Sequence, residues 1–174
     1  MRIESPSFTD KELQGFLDEV VHHDRERLVE RLEGASRRLA ELVGRGPVPE
    51  ADGQVEWSGH DVLAHIAVLS KFYGVLAYQV ATGKASDVDL LRFVQDRDVA
   101  GQQLSSLPPE QLLAMAQRDH QQTINYLRSA DAAALERRAT LTDGFSMSAL
   151  EIANLALCAH LEIHLEQLER TLQP

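Results

Sequence analysis

The run Cys158-Ala159-His160-Leu161-Glu162-Ile163-His164 lies in the last amphipathic stretch of the chain and carries two histidines one helical turn apart. A third histidine, His65, occupies a core position of an earlier stripe formed by Val62, His65, Ile66, Leu69, Tyr73 and Leu76. Their depths bear on topology. His65 falls roughly 10 Å into its helix and His164 roughly 12 Å before the end of its own, at 1.5 Å per residue. Those depths match only where the two helices are antiparallel. An up-down-up-down bundle makes them parallel. An up-down-down-up bundle makes them antiparallel, and needs a long crossover between helices two and three.

The rest of the sequence supplies the other parts. Helix one is expected from about Thr9 to Val43, with Thr9 and Glu12 as a capping box and a break near His22-His23-Asp24 because of its length. Helix two opens at Ser58, with Asp61 three residues on, and stops at Gly83. Residues 84 to 107 form the long connection, with a short helix around Leu90 to Gln102. Pro108 and Pro109 start helix three, which runs to about Ser129. Asp131 caps a short turn through Leu135, a loop with Gly144 follows, and helix four runs from about Ser146 to Leu172. Its stripe is Leu150, Ala153, Asn154, Leu157, Leu161, His164, Leu165 and Leu168. The expectation is an all-α, single-domain four-helix bundle over residues 1–174 with almost no strand.

Composition narrows the function. The chain has 174 residues, 44% hydrophobic and 25% charged, and a formal net charge of −10. Such an acidic chain is not expected to bind nucleic acid or anionic lipid, both of which recruit clustered Lys and Arg. No apolar run approaches the roughly 20 residues of a membrane span, and Met1–Pro6 has no apolar signal core. A cytoplasmic protein is expected. Its single cysteine, Cys158, cannot close an internal disulfide.

Three neutral imidazoles on two helices can hold one divalent metal and leave positions open for water or substrate. The alternative is three half-buried histidines hydrogen-bonded to backbone or carboxylates. Seven histidines give roughly 0.3 pairs at this spacing by chance, so the pair alone does not choose. Neighbouring residues have two readings each. Trp57 is first a hydrophobic staple before the helix-two cap, and second a pocket wall. Tyr73 is a core residue with a polar tip, or a donor toward a ligand. His120 lies on the apolar side of helix three with nothing to pair with it, and a ligand or pocket role is its lesser reading. Asn154 needs a buried partner, substrate being the lesser candidate. Cys158 reads as a small core residue. Glu162 points away from the paired histidines, and the His-Glu-x-x-His zinc-protease motif is absent.

The stretch Trp57-Ser58-Gly59-His60-Asp61-Val62-Leu63-Ala64-His65-Ile66-Ala67 resembles the opening of helix two in the DinB-like superfamily. That group includes the mycothiol-dependent maleylpyruvate isomerase N-terminal domain and the ClbS/DfsB-type resistance proteins. His160 to His164, followed by Leu165-Glu166-Gln167-Leu168, resembles its helix-four end. The stretches Phe93-Val94-Gln95-Asp96-Arg97 and Pro109-Glu110-Gln111-Leu112-Leu113 are also similar. The resemblance implies an up-down-down-up bundle and a divalent metal, nickel or zinc, on His65, His160 and His164. It implies metal-dependent chemistry on a small electrophile, foremost S-transfer or isomerisation with a low-molecular-weight thiol such as mycothiol, bacillithiol or glutathione. The catalytic group, a metal-bound water or thiol, is left unassigned. A second domain like that of the full isomerase is not expected. The other readings are a metal-dependent hydrolase, a small-molecule-binding or resistance protein acting by sequestration or hydrolysis, and a non-catalytic dimerising bundle. A homodimer is expected from the apolar positions of helix one.

Overall fold

Helix α1 (Asp10–Gly44) is one unbroken rod. The structure, a computed structural model, describes residues 10–49, 57–141 and 144–172. Thr9, and with it the expected cap of α1, lies outside those residues. The break expected near His22-His23-Asp24 does not occur. That stretch holds no Gly or Pro, and His22 Nε2 pairs with Glu26 Oε1 one turn on, at 3.1 Å. From Val21 onward the inner face of α1 is buried, with Leu32, Leu39 and Leu42 fully covered. Before it, Lys11–Val20 are exposed, Leu17 and Val20 at 60% and 57%.

Helix α2 (Gly59–Ala81) starts on the expected capping box. The Asp61 amide donates to Ser58 Oγ at 3.1 Å and the Ser58 amide to Asp61 Oδ2 at 3.0 Å. By length and composition α2 passes for a membrane-crossing helix, although Asp61, His65 and Lys71 keep its apolar runs short, as the sequence reading had it. Its setting explains the composition. It packs against α3, α4 and the last helix at once, so Val62, Leu63, Ile66, Leu69, Leu76 and Val80 are all buried.

Side-chain pairings give the direction of every long helix. Against α4 (Pro109–Ser129), Ser70 meets His120, Gly74 meets Thr123 and Tyr78 meets Tyr126, a nearly constant offset that makes α2 and α4 parallel. Against the last helix, Gly59 meets Thr171 and His65 meets His164, so those two helices are antiparallel. Helix α1 runs with the last helix, through Arg31–Glu162 and Arg38–Glu169, and against α4, through Arg25–Ala130 and Glu33–Arg128. The order is up, down, down, up. Helix α3 (Leu90–Leu104) makes the two consecutive down helices possible. Phe93 packs on Phe72 and Tyr73, and Gly101 lies against Val68, so α3 returns antiparallel along α2 and brings the chain back to where α2 began.

After α4 come the short α5 (Ala132–Leu135), capped by Asp131 as expected, and two strands in place of the expected loop. Strands β1 (Arg138–Thr140) and β2 (Ser146–Ser148) pair antiparallel, with Ala139 opposite Met147 and both facing the core. Three residues are too few for an alternating pattern to register in sequence. The last long helix therefore begins at Ala149, capped by Ser148, rather than at Ser146. It has three consecutive segments, α6 (Ala149–Glu151), a π-helical stretch (Ile152–Ala159) and α7 (His160–Thr171).

Candidate metal centre

His65, from the first half of α2, and His160 and His164, from successive turns of α7, project into the same space. Their nearest ligand nitrogens all lie within 4.8 Å of one another, so a common point exists no more than about 2.8 Å from each. Zinc–imidazole bonds run at about 2.0–2.1 Å, so small side-chain rotations close the remaining gap. The rings are tilted rather than stacked, at 64° between His65 and His160 and 66° between His65 and His164.

The electrical state of the rings suits them to bind a cation. Burial holds His65 down at about 3, helped by His164, the Arg97 guanidinium and His160. Burial likewise lowers His160 and His164, with Arg97 acting in the same direction on both. Near neutral pH all three are uncharged and carry a ring lone pair. One is also oriented by a hydrogen bond. Gln167 Oε1 stands 2.9 Å from His164 Nδ1, so Nδ1–H donates to it and Nε2 is left as the ligand atom. The Ala156 backbone acts against burial on His160, raising its proton affinity. In an α-helix the Ala156 carbonyl would take the His160 amide. Here that amide donates to Leu157, at the exit of the π-helical stretch.

Three more residues build the walls. Trp57 stacks nearly parallel to His164 (9°, 6.1 Å between centroids) and stands edge-on to His65 at 4.9 Å. Its contacts with the histidines are those of a pocket wall. Tyr73 is buried, with its ring 5.9 Å from His160 and its hydroxyl accepting from Arg97 Nη1 at 3.1 Å. Arg97, from α3, and Gln167 are site residues to which sequence analysis gave no role. A cleft of about 480 Å³ runs alongside, lined by Trp57, His65, Arg97, Asp98, Gln102 and Ser105.

Two candidates from sequence lie elsewhere. His120 is fully buried between α4 and the far side of α2, where its Nε2 sits 2.7 Å from Ser70 Oγ. Ser70 donates its one proton to the Ile66 carbonyl at 2.6 Å, so Nε2–H is the donor in the pair. Asn154 accepts from Arg31 Nη1 at 2.5 Å on the α1 side of the last helix. The π-helical winding shifts residues ahead of His160 out of the 3.6-residue phase that the sequence stripe assumed. Cys158 is fully buried, and burial pushes its thiol up to about 12, so it is a core residue and not a thiolate nucleophile.

The profile of the DinB superfamily matches residues 20–168. This chain belongs to that superfamily. Among solved structures, it is similar to YfiT from Bacillus subtilis, described as a probable metal-dependent hydrolase with an unusual four-helix bundle topology. The identity is 16%, the TM-score is 0.61, and the match covers 97% of this chain and 92% of YfiT. At that identity the likeness establishes the fold, and this DinB-superfamily chain shares the four-helix bundle. No curated protein matches it.

Proposed function

We propose that this DinB-superfamily protein is a metal-dependent enzyme acting on a small electrophile, with a divalent cation, nickel or zinc, held by His65, His160 and His164. The observation that carries the reading is the convergence of three neutral imidazole nitrogens within 4.8 Å, from helices nearly a hundred residues apart in sequence. The donor set fits a catalytic ion, because three nitrogen ligands leave coordination positions for exogenous groups. A cation there would supply Lewis acidity and make an anionic nucleophile available at neutral pH. Gln167 orients the His164 ring, Trp57 covers one side, and the cleft beside Arg97 admits a small molecule.

Transfer or isomerisation with a low-molecular-weight thiol is the leading reaction class. The thiol would be exogenous, since the chain's own Cys158 is sealed in the core. Hydrolysis is the second reading, supported by the description of YfiT. The test uses untagged protein. Zinc or nickel titrated calorimetrically should bind at one ion per chain, and an electrophile panel should be consumed with mycothiol, bacillithiol or glutathione. Turnover of ester or amide substrates without any thiol would favour the hydrolase instead. No stoichiometric metal binding, or equal activity with and without metal, overturns the enzyme reading.

A further inference from the structure

Arg97 is fixed more firmly than a surface arginine. Its side chain is only 12% exposed. Nη1 donates to Tyr73 Oη at 3.1 Å, while Nε and Nη2 donate to Asp98 Oδ1 at 3.1 and 2.8 Å. A guanidinium has five N–H donors. Among the described residues these bonds use three, which leaves one on each terminal nitrogen of a planar fork. Tyr73 receives its bond from Arg97 through oxygen, so its own proton is still available to donate. Arg97 lines the cleft that His65 and Trp57 also line.

The carboxylates around that cleft are already engaged. Asp61 Oδ2 accepts from both the amide and the hydroxyl of Ser58. Asp98 is tied to Arg97 itself and is half exposed to solvent. The protein carries a net charge of −10. Arg97 shares the cleft lining with Asp61 and Asp98 and is largely covered, so what it offers a ligand is its two remaining N–H groups in a fixed fork and not a net positive field.

From this geometry we infer that Arg97, backed by Tyr73, is a carboxylate anchor, so that the substrate or co-substrate is a small molecule carrying a carboxylate. The inference rests on the reading of the His65–His160–His164 centre as the reactive site, and it names the class of molecule that site accepts. Arg97 would bind the carboxylate with its two remaining N–H groups, the Tyr73 hydroxyl adding a third donor. The reacting end of the molecule would then extend toward the histidines. The field of Arg97 does reach them, since it lowers the proton affinity of all three rings.

The test uses the full chain and its single tryptophan, Trp57, which lines the same cleft. Emission is followed while succinate, or the neutral analogue succinamide, is titrated into metal-free and zinc-loaded protein. Succinate should give a saturable change in both forms and succinamide should not. Arg97→Met should weaken succinate at least tenfold, with the helical circular dichroism unchanged, and Arg97→Lys should recover part of the affinity. Tyr73→Phe should fall between the wild type and Arg97→Met. If succinate and succinamide behave alike in the wild type, the anchor is wrong, and that comparison depends on no variant folding. Wild-type succinate affinity in a folded Arg97→Met protein overturns it equally. Failure of the metal reading shows separately, as no zinc uptake in calorimetry beside an intact Arg97-dependent succinate response in metal-free protein.

Discussion

A single imidazole separates a metal centre from three half-buried histidines that happen to meet. His160 is half-buried at the edge of the core, so His160→Ala should change folding stability by less than about 1 kcal/mol. It should also abolish turnover and stoichiometric zinc binding, read by calorimetry. Gln167→Leu makes a subtler test, because it leaves all three ligands and removes only the acceptor that points Nε2 of His164 into the site. Metal affinity should fall roughly 10–100-fold, and Gln167→Glu should restore it. Protonation provides another test. Burial keeps His65 at about 3 and His120 at about 4, against 6.5 in the unfolded chain. Between those values the unfolded chain takes up protons that the folded chain refuses. Stability is therefore full above about pH 6.5 and falls as the pH drops toward 4. Melting temperatures of the metal-free protein should decline through that window, and His120→Gln, which keeps a donor for Ser70, should flatten the decline. The pair at 160 and 164 and the core position of 65 were legible because they obey simple helical spacing. Gln167 obeys it too, three residues after His164 on the same face, and could have been read as its partner. Arg97 could not, since nothing local says which face of α3 meets α2.

At the scale of elements, α2 and α4 approach closely at Gly74. A Cβ on Gly74 would fall 2.4 Å from Thr123 Oγ1, and Thr123 is itself buried and bonded to the Asp119 carbonyl at 3.0 Å. Gly74→Ala should cost about 1–3 kcal/mol by overpacking, seen as a lower urea midpoint with an unchanged slope. Helix two was legible almost to its ends, because Ser58 and Asp61 form a local cap and Gly83, at φ +72°, ends it. Helix four was legible as a helix but not in its winding. Eight residues of π-helix change the phase between Asn154 and His160, so a stripe drawn at 3.6 residues per turn placed Asn154 with the site, whereas it faces Arg31. The continuity of α1 was misjudged for a different reason. Length alone suggested a break, but no residue there forces one.

For the whole molecule, the candidate centre joins two antiparallel helices that start and finish the bundle's inner seam. A cation binding only the folded chain should stabilise it by about 2.7 kcal/mol at a hundred times its dissociation constant. For a chain of 174 residues that is a rise in melting temperature of roughly 5–10 °C. The rise should be present in wild type and absent in His65→Ala, measured by differential scanning calorimetry at matched zinc concentrations.

Local chemistry, by itself, determined most of the helices, the caps at Ser58 and Asp131, the acidic character and the set of histidines, because spacing along a helix maps directly onto its faces. The axial depths of His65 and His164 even pointed to antiparallel helices. The tertiary structure alone decided that α3 returns along α2, that Arg97 closes on Tyr73 beside the histidines, and that His120 and Asn154 face other neighbours. Those outcomes depend on which helix faces are brought together across the bundle, and contacts between residues distant in sequence leave no periodic trace in either partner.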